Sequence, residues 1–205
     1  AEILGIGFPT AEVGMEVTKS GRTTEVTSGF VQAVNVTSRV NFGEECGTAT
    51  FIQQVSFSKM SDSGDSGSVI LDSQTLRPVA LLFADSSTRT LGNPFTAVVE
   101  ALDVLPVGED GLAYGPTSVD EVVEEMESAM NPRLEKLKEI QQKHEDQIMA
   151  VPEVVGIGIG LAESGDDYEF IVYCKKIVPE VQEKLPQLLD GVPVRLIESG
   201  PFEAY

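Results

Sequence analysis

Between residues 13 and 92 apolar side chains recur at about every second position, the period that puts alternate residues on one face of a β-strand. The runs Gly14–Lys19, Val26–Val40, Thr48–Phe57, Ser68–Leu71 and Pro78–Ala84 fit this pattern, with Gly, Ser and Asp between them. Short strands at this spacing predict a small antiparallel barrel or sandwich. The period then changes. Phe95, Val98, Val99 and Leu102 lie at helical spacing behind Asn93 and Pro94, which read as an N-cap and a first-turn proline. A short helix therefore closes the all-β unit.

Pro106 to Pro116 is a connector containing glycine and acids, and a second helix is expected from Ser118, where Glu121 completes a capping box. Val119, Val122, Val123, Met126 and Met130 form its apolar stripe. Asn131-Pro132 ends it, and a third helix carries Leu134, Leu137, Ile140, His144 and Ile148 on one face. Alternation returns in Val154–Leu161 and Tyr168–Lys175, a hairpin across Ser164-Gly165-Asp166-Asp167. A helix over Val181–Leu189 and a strand over Val192–Ile197 follow, so the order from 133 onward is α-β-β-α-β, a small α+β unit. Three parts result: a β-barrel with closing helix (1–105), an acidic linker and helix (106–132) and the α+β domain (133–205).

Charge excludes two classes of partner. The chain has 33 acidic and 14 basic side chains, a net charge of -19 spread over all three parts, which repels phosphate backbones and anionic lipid surfaces. No apolar run approaches the ~18 residues that span a bilayer. Neither nucleic acid nor membrane is an expected partner. Cys46 and Cys174 fall in different parts and build no disulfide framework, which favours a reducing, cytoplasmic setting. A single histidine leaves nothing for a zinc site, Asp62 and Asp65 lack calcium-loop spacing, and no metal or cofactor is expected. Gly156, Gly158 and Gly160 are spaced G-x-G-x-G, unlike a dinucleotide loop, and read as a strand approached closely by a helix or another backbone. Asn35-Val36-Thr37 matches a glycosylation sequon inside a strand, a chance match.

The stretch that points to chemistry is Gly64-Asp65-Ser66-Gly67-Ser68, before the strand-like Val69-Ile70-Leu71. A nucleophilic serine needs an exposed Oγ on a sharp turn, and flanking glycines let backbone N–H groups converge on a developing oxyanion. Taken alone, five such residues read more readily as an ordinary surface turn.

Their neighbours shift the balance toward the nucleophile. Gly14 to Thr24, then Thr27-Ser28-Gly29-Phe30-Val31 upstream and Arg77 to Ala84 downstream, give a succession that resembles the second β-barrel of chymotrypsin-like serine peptidases, in particular their disulfide-free trypsin-like branch. The resemblance covers about residues 5 to 105, with Phe95–Leu105 in the place of the closing helix; Glu25 stands where that branch has glycine. It implies a six-stranded trypsin-like half-barrel, Ser66 as nucleophile, and the Gly64 and Ser66 amides as oxyanion hole. It also implies Asp65 as the buried residue fixing the loop, Phe83 and Ala84 in the substrate-pairing strand, and Met60 near the base of the specificity pocket. The C-terminal unit resembles a small domain found beside such proteins and has the order of propeptide-like and ferredoxin-like folds.

In that family the general base and its orienting aspartate come from the first barrel, and here the stretch before Ser66 is used by strands of the second. His144 sits on a helix stripe in another unit and reads as a packed or interface histidine. Two readings follow. The chain is the C-terminal part of a serine endopeptidase, joined by its N-terminal barrel and acting on polypeptides, as the start at Ala1 without Met suggests; or it is a non-catalytic binding or assembly module. A half-barrel surface without its partner also predicts self-association into homo-oligomers.

Overall fold

The computed structural model describes residues 10–104, 131–165 and 167–204. The chain is mostly β-sheet with few helices. The period-two segment forms β1 (Glu16–Gly21), β2 (Glu25–Asn41), β3 (Thr48–Ser58), β4 (Val69–Asp72), β5 (Pro78–Asp85) and β6 (Arg89–Pro94). These pair antiparallel in the order β1-β4-β5-β6-β3-β2, and β1 also pairs with β2, so the ring closes. Closure removes the free edges that a six-stranded sheet would otherwise leave open. Val17, Val31, Val55, Phe57, Ile70, Ala80 and Leu82 fill the interior, none more than 3% exposed. Each of these except the small Ala80 contributes roughly 1.5–3 kcal/mol by leaving water.

β2 is 17 residues long and pairs with four strands, β3 among them. Its first half pairs with β1, whereas Ala33–Ser38 pairs with a strand of the C-terminal part. Between the halves the register with β3 slips repeatedly, and Asn35 and Gln53 take φ of 51° and 58°. Such bulges bend a strand, and here they carry β2 out of the barrel wall. A one-turn helix, α1 (Gly43–Cys46), joins β2 to β3, and α2 (Phe95–Leu102) follows β6.

The start of α2 differs from the sequence expectation. Asn93 does not cap it; β6 runs on through Pro94, which takes the N-cap position, and Asn93 Nδ2 donates to Gln54 Oε1 at 2.7 Å. β6 itself escaped the periodicity because Gly92, Asn93 and Pro94 are breakers locally, and pairing with both β3 and β5 overrides them.

The C-terminal part contains α3 (Pro132–Met149), β7 (Val154–Leu161), β8 (Tyr168–Cys174), α4 (Pro179–Lys184), β9 (Leu188–Leu189), β10 (Val192–Glu198) and β11 (Phe202–Ala204). Asn131 caps α3, its Oδ1 accepting from the Arg133 amide at 3.0 Å. The helix expected over Val181–Leu189 is cut to Pro179–Lys184. Pro186 disfavours helical backbone at Leu185, which is extended (φ −97°, ψ 135°), and Leu188–Leu189 instead pairs with β10. The helix expected from Ser118 lies outside the described residues, as does the connector from 106 to its end.

β7 pairs antiparallel with both β2 and β8, and β10 pairs parallel with β8, so one hydrogen-bonded path runs from the barrel into the C-terminal strands. The alternating glycines of β7 make this possible. A Cβ on Gly156 would stand 2.8 Å from the Thr37 carbonyl oxygen, and one on Gly160 2.8 Å from that of Gln32. The backbone that approaches is β2. Ile157, Ile159, Phe170 and Val172 share a core with Leu137, Ile148 and Met149 of α3. Val155, Ile171 and Tyr173 instead meet Ala33, Val36, Ala84 and Leu91 from the barrel strands, together with Phe202 of β11. β2 also holds α3 by polar contacts: buried Gln141 donates to the Asn35 carbonyl at 2.9 Å and accepts from Asn35 Nδ2 at 3.2 Å. The sequon asparagine is thus spent on packing.

Candidate functional site

The loop between β3 and β4 holds the Gly-Asp-Ser-Gly-Ser stretch. Gly64 and Gly67 have φ of 101° and 87°, which glycine alone adopts without strain. Asp65 N donates to Asp62 O and Ser68 N to Asp65 O, both at 3.0 Å, and these two tight turns place Ser66 on the outside of the bend. The loop then docks on β5 through Gly67 N to Leu82 O (2.8 Å) and Leu82 N to Ser68 O (3.0 Å). Ser66 Oγ donates to the Phe83 carbonyl at 3.3 Å. The N–H groups of Gly64 and Ser66 have no acceptor among the described residues, and both residues line an open depression of about 400 Å³ that Arg22 borders. A side chain at Gly64 would also run into the Arg22 guanidinium and come within 2.6 Å of Thr23 Oγ1.

Behind the serine, Asp65 is fully buried. One carboxylate oxygen accepts from the amides of Thr23 (2.7 Å) and Thr24 (3.2 Å); the other accepts from Thr24 Oγ1 (2.6 Å), Lys19 Nζ (3.0 Å) and the Asp62 amide (3.1 Å). Burial opposes its ionisation, but the Thr24 hydroxyl, the Lys19 ammonium and the Thr23 and Asp62 amides together outweigh it. They hold the carboxyl well below the usual carboxylate range. Lys19 is as buried as its partner. The sequence reading missed it, although the signal was there: Lys19 is two residues from Val17 on β1, in phase with the inward face, so alternation itself sends an ammonium into the end of the barrel.

Of the residues singled out from sequence, Ser66, Gly64, Asp65 and Phe83 come together. Met60 is 4% exposed and packs with the barrel core, its amide donating to Thr90 Oγ1 at 3.1 Å, and it does not line the depression beside Ser66. Ala84 is fully buried and pairs with Ala204 of β11. Glu25, the residue in place of glycine, has φ of 55°, the left-handed conformation that glycine takes at no cost. The only histidine, His144, lies on α3 with Nε2 3.1 Å from Asp190 Oδ1, and Lys143 meets the other Asp190 oxygen at 2.8 Å. Lys143 first, then His144, hold Asp190 below its ordinary range.

No protein-family model and no curated protein matches the chain. Among solved structures it is similar to a glutamic-acid-specific serine protease (30% identity, TM-score 0.40), over 48% of this chain and 51% of that one. It is similar to the chymotrypsin of Cellulomonas bogoriensis (24% identity, TM-score 0.42), over 50% and 55%. Thermobifida fusca protease A also matches (22% identity, TM-score 0.40), over 48% and 52%. The structural neighbours are thus chymotrypsin- and trypsin-like serine proteases, and the chain spans about half of their length.

Proposed function

We propose that the chain is the C-terminal part of a trypsin-like serine endopeptidase, with Ser66 as nucleophile and the Gly64 and Ser66 amides as oxyanion hole. In this reading Asp65 is a positioning residue, and the six-stranded ring is the second barrel of the peptidase. The base and its orienting acid belong to a first barrel outside this sequence, since the single histidine lies on α3 and does not line the depression beside Ser66. The carrying observation is the turn itself: a serine between two positive-φ glycines, fixed from behind by a buried carboxylate, with two unengaged amides beside it.

Ser66 Oγ adds to the scissile carbonyl as its proton passes to the base, and the carbonyl oxygen gains charge facing the two amides. The C–N bond then breaks as the base returns that proton to the leaving amine, and water releases the acyl group by the same route. Each amide donor is worth about 10²–10³ in kcat at such a site. Hydrolysis of a polypeptide by the protein carrying the first barrel, reduced at least about 10³-fold by Ser66→Ala, is the expected result. Undiminished hydrolysis by Ser66→Ala would overturn it.

A second reading, a non-catalytic module, is favoured by His144 not being among the residues that line the depression beside Ser66. It expects no hydrolysis in any form of the protein.

A further inference from the structure

We propose that β11 fills the slot in which an extended peptide must lie to reach Ser66, so that the chain blocks its own site; this rests on the protease reading above. Ser66 touches β5 at the Phe83 carbonyl. β11 pairs antiparallel with the next two residues, Ala204 with Ala84 and Glu203 with Asp85, and on its other side parallel with β2, Phe202 with Val40 and Glu203 with Asn41. A strand continuing in that register brings its next residue to Phe83, and hence to Ser66. β11 is seated as a ligand would be. Phe202 is fully buried, edge-on to Tyr173 at 5.8 Å. Just upstream, Ser199 N donates to the Cys174 carbonyl at 2.9 Å and Ser87 Oγ to the Ser199 carbonyl at 2.9 Å.

Two strand edges and an aromatic slot define the competing ligand: an extended peptide with an aromatic residue two positions before a small one. Such a peptide gains access only when β11 is withdrawn. The slot opens without breaking the barrel ring, because β5 keeps β4 and β6 as partners.

The test uses the full chain with Phe202→Asp, which drives a charge into the buried slot, and separately with Ala204→Pro, which removes an amide. Amide exchange of residues 83–85 should rise at least about tenfold in both, with β1 and β4 unchanged. Added acetyl-Pro-Phe-Glu-Ala-Tyr should restore the protection. Unchanged exchange in both variants, or a peptide that restores nothing, would overturn the proposal. Reaction of Ser66 with a fluorophosphonate, read in the protein carrying the first barrel, separates this idea from the reading beneath it. Faster reaction in the variants supports self-blocking, and equal rates in all forms overturn it while the protease reading survives. No reaction in any form overturns the protease reading, and self-blocking of a catalytic site with it.

Discussion

Replacing Asp65 by asparagine should be among the most damaging single-atom changes in the barrel. Both Asp65 and Lys19 are completely buried, so solvent does not screen the pair. Asparagine keeps the shape but offers an NH2 where one carboxylate oxygen accepts from Lys19, Thr24 Oγ1 and the Asp62 amide. It also strands the ammonium, whose remaining contacts are the Thr24 hydroxyl and the Glu25 carbonyl at 3.4 Å. Breaking one side of a buried pair costs about 3–5 kcal/mol. Lys19→Met should cost less, about 1–3 kcal/mol, because the carboxylate keeps four donors from Thr23, Thr24 and Asp62. The double variant should then cost less than the sum of the two. Urea unfolding of the four proteins at pH 7 measures all three terms. Because the folded carboxyl is held low, its stabilisation is complete above its unfolded pKa. As pH falls below about 4, the gap between wild type and Asp65→Asn should close. A loss under about 1 kcal/mol for Asp65→Asn, or a larger loss for Lys19→Met, would refute the reasoning.

Further outcomes follow from other parts of the fold. Glu25→Gly should leave stability unchanged or raise it by up to ~1 kcal/mol in thermal unfolding, since φ of 55° costs a side chain about 1–2 kcal/mol, partly offset by glycine's greater unfolded freedom. Gly156→Ala should destabilise by about 1–3 kcal/mol in urea, as its methyl meets the Thr37 carbonyl of β2 at 2.8 Å. With a thiol reagent at pH 8, exposed Cys46 should react at once and Cys174 only on unfolding. Burial, then Glu153 and Glu198, push the Cys174 thiol up to about 11.

What could be read from the sequence was what repeats or what is chemically singular. Period-two alternation located β1 to β5 within a few residues, and the Gly64–Ser68 turn was visible because glycines flank a serine. The Gly156-Gly158-Gly160 series announced a close backbone neighbour, although only the structure names β2. Long-range pairing was not legible. β6 carries breakers, β11 is three residues long, and both exist because neighbouring strands supply their hydrogen bonds. Gln141 illustrates the same limit: on α3 it points inward among apolar residues because Asn35 satisfies both ends of its amide. Lys19 is the opposite case: its phase with Val17 turns it inward, against the preference of lysine for solvent, and only the buried Asp65 makes that place tolerable.

The central claim, that Ser66 is a nucleophile activated by groups outside this sequence, is tested most directly by fluorophosphonate labelling mapped by peptide mass spectrometry in the protein carrying the first barrel. The account predicts an adduct on Ser66 that Ser66→Ala abolishes and that this chain by itself forms far more slowly. No adduct on Ser66 in that protein, or one formed as fast by this chain alone, would contradict it.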